Sequence, residues 1–560
     1  MPAWPRARWP KQDLQRGARG GRLRPAQGIA IRTRRYAIVL RSPVAIVIAT
    51  AVLAAAPAAS ADSFSLGVAA GEVTPSSTML WGHADQPGQT RLEVATDDGF
   101  SRIIRSFKIQ ASADNDLTVQ RRVEGLRSST RHWYRFTSGE AASDVGSFVT
   151  APKQNDDAAI RFGWTGDYDA ETAVGETEPF WNDFGVFESM QEEGNHFNVA
   201  LGDTIYSDSE VPGKLNPVAL TVEQKWGKYK LNLGEERLTD LRGSAGFYSQ
   251  WDDHEFINDF SRFEDVFTSG TIDGQELYQR GVKAFTDFAP VDYSSHDGLY
   301  RTRQWGKNLE LFFLDERSFR SAKASKNGVC DNPVSNAPDL APTAPQGVRD
   351  AFAAIAPSLA EPVSQACLDT INDPNQTFLG EKQLKTFLHD VQHSDARFKV
   401  IMNEMPIQQY YALPYDRWEG YEADRQRVLS GLEGVKNVVF LTTDVHATFV
   451  NDARFKTLEP GGPVNSGILE VTVGPAATAR YALEINDALG IPVANLIDAL
   501  FFEPQPPAGL GMQCSGLDQF SYGEVEVTSS ALTITPKRID GNPLVTDDGV
   551  CGPFVLSYQP

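Results

Sequence analysis

Four apolar runs along this chain each lead into acidic residues. Ile160-Arg161-Phe162-Gly163-Trp164 runs into Gly166-Asp167, and Phe197-Asn198-Val199-Ala200-Leu201 into Gly202-Asp203. Phe247 to Trp251 runs into Asp252-Asp253-His254-Glu255, and Val438 to Leu441 into Thr443-Asp444-Val445-His446. Runs this short and apolar read as buried strands. Two more are expected at Leu309 to Leu314, ending at Asp315, and at Phe398 to Met402. Helical patterns fall between them, at Glu178 to Glu193, Val222 to Asp240 and Gly380 to Val391. The alternation is the βαβ rhythm of an α/β fold, which binds ligands at the carboxyl ends of its strands.

One aspartate after a strand is an ordinary turn. Four in order, two of them with a histidine nearby, are harder to explain as turns. Gly202 lets the chain turn tightly, so that Asp203 points out over the sheet edge with Tyr206 beside it. Carboxylate and phenolate are hard oxygen ligands, suited to a cation such as Fe(III) or Ca(II). Carboxylates converging on one crevice repel unless a cation holds them. Two cations sharing a bridging carboxylate would activate a water and clamp both ends of an in-line displacement at phosphorus.

The rest of the chain constrains where this chemistry takes place. With 560 residues, 41% of them hydrophobic, it can bury a sizeable core in two to four domains. Residues 1–61 hold eleven Arg or Lys and one acid, Asp13; removing that net +10 from the formal −21 leaves −31 for the remainder. So acidic a body repels nucleic acid and anionic membranes, and no nucleic-acid scaffold is expected. Arg34-Arg35 precede an apolar stretch from Tyr36 to Ala56, broken by Arg41 and Pro43, and Ala59-Ser60-Ala61 is a small-x-small cleavage signal. This predicts an export signal over 1–61 that engages the twin-arginine machinery, and a periplasmic or secreted protein. The breaks leave less than the roughly 20 apolar residues of a membrane span, so no stable anchor is expected in the mature form. Four cysteines fit export: Cys330 with Cys367 and Cys514 with Cys551 bracket two local segments and read as two disulfides. Three connectivities, or four free thiols, are the alternatives.

From Asp62 to about Thr150, strand-like runs recur about every ten residues, at Thr78 to Gly82, Thr90 to Ala95, Ile103 to Ile109 and Leu117 to Gln120. That spacing predicts a β-sandwich over 62–150. Gly125-Leu126 with His132-Trp133-Tyr134-Arg135-Phe136 resembles a fibronectin type III tyrosine corner. A catalytic domain is expected over 158–540 and a tail over 541–560. The Pro- and Asn-rich stretch between Cys330 and Cys367 reads as an insertion at the rim.

The order of Gly166-Asp167, Gly202-Asp203-x-x-Tyr206, the His254-Glu255 block and Asp444-x-His446 is similar to the calcineurin-like metallophosphoesterases. Trp251-Asp252-Asp253-His254-Glu255 stands where the wider family has Gly-Asn-His-Glu, and Thr443-Asp444-Val445-His446 where it has Gly-His-x-His. These departures resemble the PhoD-like, alkaline phosphatase D branch, as do Leu314 to Arg320, Phe378 to Leu384 and Asn403-Glu404-Met405-Pro406. The resemblance covers about residues 31 to 540. It implies two packed mixed β-sheets flanked by helices, preceded by a fibronectin type III-like sandwich. It also implies a metal-dependent phosphomonoesterase or phosphodiesterase, with a small-molecule or polymer phosphate ester as substrate.

The roles it implies are these. Asp203 bridges two metals. Asp167, Tyr206 and His446 complete the first site, with Tyr206 as a phenolate on Fe(III). Asp253 and Asp444 serve the second, which favours Ca(II); zinc, manganese and magnesium are the alternatives. His254 is the general acid or stabilises phosphoryl charge, oriented by Glu255, and Arg317 meets the substrate phosphate.

Blander readings stand beside these. Asp169 is either a ligand or a turn residue, Asp252 lies behind Asp253, and Asn403 and Glu404 lie at or behind the metals. Arg317 is either a phosphate contact or a brace for a carboxylate. His196, in Gly194-Asn195-His196, mimics a family motif but precedes the Asp203 strand, so it is read as a decoy. Two other functions compete: a phospholipase D-like diesterase acting on lipid or wall polymer, and a non-catalytic binding protein. No Gly-x-Ser-x-Gly elbow or His-Glu-x-x-His pattern supports another hydrolase chemistry.

Overall fold

Ile160–Thr165, Phe197–Leu201 and Gly246–Gln250 form the parallel heart of a nine-stranded sheet. The computed structural model describes residues 64–267 and 270–560; the expected export signal lies outside them. A second sheet of seven strands has Leu309–Phe313, Phe398–Met402, Val438–Thr442 and Val464–Thr472 parallel at its centre. Most of these central strands are largely apolar and buried, as burial on both faces demands; Val464–Thr472 is the exception, polar and mostly exposed over its first four residues.

The two sheets share one core. Phe162, Trp164, Val199, Leu201 and Tyr248 from the first meet Leu311, Phe313, Val400, Met402, Leu441 and Val471 from the second. The outer face of the nine-stranded sheet is covered by helices Gly185–Glu192, Val222–Asn232, Glu236–Ser244 and Gly274–Phe288. Glu381–His393 and Glu422–Gly431 cover the other sheet. The arrangement is helix, sheet, sheet, helix, with both sheets mixed.

Two helices depart from what their periodicity suggests. The helix expected over Glu178 to Glu193 begins only at Gly185, because Phe184 before it has φ +61°. The one expected over Val222 to Asp240 is two helices, interrupted at Leu233 to Glu235. Thr221 and Gln224 form a reciprocal capping box at the start of the first.

The N-terminal sandwich is not a separate body. Its outer layer is a five-stranded sheet built on Gly88–Ala95, Ile103–Ala111 and Arg131–Ser138. Its inner layer, Val68–Gly71, Ser77–His83 and Thr118–Glu124, continues the nine-stranded sheet, with Ala70 opposite Gly246. The expected tyrosine corner is absent: Tyr134 is buried over Gly146 and its hydroxyl finds no partner. The stretch 541–560, set apart as a tail, contributes Phe554–Ser557 as the other edge of that sheet. Both disulfides pair locally, Cys330 with Cys367 and Cys514 with Cys551.

Candidate metal centre

In-register pairing brings the strand ends together. Leu201 lies opposite Gln250, and Thr442 opposite Thr472, so Asp167, Asp203, Asp252 to Glu255 and Asp444 to His446 emerge at one edge. Thr443 Oγ1 hydrogen-bonds the Leu201 carbonyl, and Trp164 Nε1 donates to the Thr442 carbonyl at 3.2 Å. These bonds pin the two sheets together beside the site.

The backbone at the strand ends is strained. Asp167, Asp203, Asp444 and His446 have φ of +62°, +48°, +69° and +54°. Non-glycine residues in this region cost on the order of 1–3 kcal/mol each, and such strain gathers at functional sites. Gly202, at φ +83°, cannot be replaced cheaply, since a Cβ there would lie 2.8 Å from the Asp252 Cβ.

Among the described residues, three sets of side chains could hold a cation, each with ligand atoms within 4.8 Å of one another: Asp167, Asp203 and His446; Asp203, Asp253 and His254; and Asp253, Asp259 and Asp416. Asp203 joins the first two. Tyr206 Oη lies 2.9 Å from His446 Nε2, so it faces the first set. Asp444 is in none of the three. It stands beside Asp252 and Asp253, whose charges bear on it.

The electrostatics fit a cation. Burial pushes Asp167 up to about 7 and raises Asp203 well above the usual carboxylate range; for Asp203, neighbouring Asp253 and Asp252 add to this. Asp444 is raised by burial and by the same two neighbours. Asp167 Oδ2 is buried with no hydrogen-bond partner. Buried, unsatisfied and mutually repelling carboxylates are the donor set that a bound cation relieves.

His254 is fixed from three sides. Its backbone N–H donates to Asp203 Oδ1 at 3.1 Å, its ring stacks on Tyr206 at 4.1 Å, and its Nδ1 lies 2.6 Å from Asp208 Oδ1. Burial opposes its charge, but Asp208, Asp203 and Asp253 outweigh that and raise it well above the ordinary histidine value. Asp208 moves the other way: burial works against its carboxylate, yet His254 lowers it to about 2.

Asp208, not Glu255, therefore orients His254. Glu255 instead accepts the Thr204 N–H at 2.6 Å and the Asp252 N–H at 2.8 Å, tying the two ligand turns together. Arg317 is also placed differently from the expected phosphate contact. It is fully buried, with Nε 2.6 Å from Asp252 Oδ1 and a second nitrogen 2.8 Å from Asp416. No face of the guanidinium is left for substrate.

Asp169 Oδ1 accepts the Glu171 N–H, the bond of a turn aspartate. Asn403 bonds Met405 and Trp418, and His196 accepts from the Arg161 N–H at the far end of its strand. Four residues at or behind the site were not anticipated: Asp208, Asp259, Asp416 and Glu484. Asp208 sits two residues beyond Tyr206 and was open to notice. The others come from irregular segments or a later helix, where no period points at the site.

Two stacked sheets with acidic and imidazole side chains at their strand ends define a metal-dependent phosphoesterase. The chain belongs to the PhoD-like phosphatase family: residues 172–533 match the family's model and residues 49–152 that of its N-terminal domain. Its enzymatic class is accordingly that of hydrolases of phosphoric esters. Alkaline phosphatase D of Bacillus subtilis (strain 168) is 24% identical over 437 residues, covering 71% of this chain and 67% of that one. The solved structure of PhoD superposes with a TM-score of 0.66 at 20% identity, covering 86% and 87% of the two chains. A purple acid phosphatase from yellow lupin (Lupinus luteus) seeds gives 0.52 at 11% identity, covering 88% and 73%.

Proposed function

We propose that this protein is an exported phosphatase and phosphodiesterase that carries two cations joined by Asp203. The observation that carries the reading is that Asp203 belongs both to the Asp167–His446 set and, with Asp253, to the second, whose third member His254 is held by Asp208 as a proton donor rather than a ligand. Asp167, Asp203, Tyr206 and His446 would hold the first cation, for which the phenolate favours Fe(III). Asp203 and Asp253, with Asp444 nearby, would hold the second, for which the oxygen-rich set favours Ca(II). Bound there, the cations would supply Lewis acidity to phosphoryl oxygens and make a water acidic enough to act as nucleophile.

The chain's own groups do the rest. Asp208 keeps His254 protonated, and the stack on Tyr206 holds the ring beside Asp203. His254 can then give its Nε2 proton to the departing alkoxide. Glu255 keeps the two ligand turns in register. The two disulfides and the Arg34-Arg35 leader support export by the twin-arginine route to the periplasm or beyond.

Asp203→Asn tests the reading. It should abolish hydrolysis of both p-nitrophenyl phosphate and bis-p-nitrophenyl phosphate and lower metal content. Full activity on either substrate would refute it. A visible charge-transfer band that disappears in Tyr206→Phe would establish iron at the first set.

A further inference from the structure

Glu484 reaches the site from outside the strand-end pattern. It stands in the first turn of the helix Tyr481–Leu489, where the helix dipole favours a carboxylate. One of its oxygens hydrogen-bonds His446 Nδ1. The same turn holds the His446 backbone, because the Tyr481 N–H donates to the His446 carbonyl at 2.9 Å. With φ at +54°, His446 sits in a conformation that disfavours any side chain with a Cβ, and it needs such a hold.

The helix is seated independently of His446: Tyr481 and Ile485 pack against the cluster that holds Phe449 and Phe502, and the Ala482 N–H donates to the Leu517 carbonyl at 3.0 Å. Ala482 is its one buried residue, and it is tethered at its start by Arg480, which pairs with Asp518 at 3.3 Å and lies over the Phe520 ring. An imidazole that donates Nδ1–H to a carboxylate presents Nε2 as its free lone pair. Here Nε2 faces Tyr206 Oη at 2.9 Å and Asp167 Oδ1 at 3.9 Å. Carboxylate partners of this kind orient metal-binding histidines and raise their affinity.

We infer that Glu484 is a positioning residue: it fixes the His446 ring with Nε2 toward Asp167 and Asp203, and so sets how tightly that set holds a cation. The inference rests on reading the set as a metal centre. It makes the helix Tyr481–Leu489 part of the catalytic apparatus, although it follows the last central strand and contributes no ligand of its own.

The test compares wild type with Glu484→Ala, Glu484→Gln and, as a control on the exposed face of the same helix, Asp487→Ala. Each is dialysed against graded EDTA and its retained iron, calcium and zinc are measured by mass spectrometry; the fully stripped proteins are then melted. Glu484→Ala should lose metal at roughly 10- to 100-fold lower chelator concentration. Glu484→Gln, whose amide oxygen still accepts Nδ1–H, should shift by only a few-fold, and Asp487→Ala should match wild type. The stripped Glu484→Ala protein should melt with stripped wild type. The role is overturned if Glu484→Ala retains metal as wild type does. It is equally overturned if Gln and Ala lose metal alike while their stripped forms melt lower, since Glu484 would then be a structural prop. Wild-type protein without stoichiometric metal would overturn the metal-centre reading and this inference with it.

Discussion

Arg317 Nε donates to Asp252 Oδ1 at 2.6 Å, and the same guanidinium meets Asp416 at 2.8 Å, all inside the protein. The pairing joins the turn after Leu309–Phe313 to the turn after Gly246–Gln250, one from each sheet. Arg317 thereby sets the place of Asp253, the neighbour of Asp252, without touching substrate.

Arg317→Ala should therefore act through stability. It leaves Asp252 buried and unpaired, a loss of about 3–5 kcal/mol, while Asp416 keeps Arg320 at 2.9 Å. Arg317→Lys should recover part of the charge but not the forked geometry. Urea unfolding measures the loss, and KM for p-nitrophenyl phosphate separates the two roles. A variant as stable as wild type whose KM alone rises would restore the phosphate-contact role.

Asp208→Asn should change the pH profile more than the fold. Asp208 is the strongest influence raising His254, so its neutralisation lowers the pKa of the imidazolium. A general acid must be protonated, so activity should be lost first at alkaline pH. The expected result is a kcat reduced roughly 10- to 100-fold at pH 9, less at pH 6.5, with KM little changed, since general acid–base groups contribute about 10²–10⁴-fold. Glu255→Gln, by contrast, should lower the melting temperature without moving the alkaline limb.

The site was legible because its ligands follow strands. An apolar run of five residues announces itself, and the turn after it is fixed by the register of its neighbours, so Asp167, Asp203, the Asp252 to Glu255 block and Asp444 with His446 could be placed at one edge from spacing, whereas the choice of Asp253 over Asp252 came from the family resemblance. Asp416 and Glu484 could not. Asp416 lies in a short 3-10 turn between irregular segments, and Glu484 on a helix whose apolar residues are mostly only half-buried. Their approach to the site depends on long-range packing that no local period encodes. The shared sheet was missed for a related reason: the pairing of Ala70 with Gly246 joins segments 176 residues apart, and each reads locally as an ordinary strand. Arg317 shows the limit of residue type, since a guanidinium near a phosphate site suits a substrate contact and a brace equally until burial decides between them.

Lys225 gives stability a pH dependence of its own. Its ammonium nitrogen is buried beneath the site, donating to Ser207 Oγ at 2.7 Å and the Phe256 carbonyl at 2.8 Å, and burial lowers its pKa to about 7. An unfolded lysine titrates near 10.4, so between those values the folded chain binds fewer protons and its stability rises with pH. The contribution approaches about 1.4 kcal/mol per pH unit in the middle of that window. Lys225→Met removes it. Relative to wild type, the variant should compare best at pH 7 and fall behind steadily to pH 9, as read by melting temperature. A constant difference across that range would show that Lys225 does not titrate as described.

The two disulfides should differ although each spans 37 residues. By chain entropy alone each would contribute about 4 kcal/mol. Their surroundings are unlike. Cys514 and Cys551 lie in the core between the two large sheets, Cys514 on an edge strand of one and Cys551 just before an edge strand of the other. Unfolding of the whole double-sheet body must separate those edges, so Cys514→Ser with Cys551→Ser should lower the main melting transition by several degrees. Cys330 and Cys367 sit in a small satellite cluster with Ala324, Ile371 and Tyr415. Removing that bridge frees the insertion while the sheets stay intact, so Cys330→Ser with Cys367→Ser should leave the main transition within about 2 °C of wild type and open the 330–367 segment to proteolysis. Calorimetry with limited proteolysis measures both. Equal losses of melting temperature from the two double variants would mean that the insertion unfolds together with the sheets.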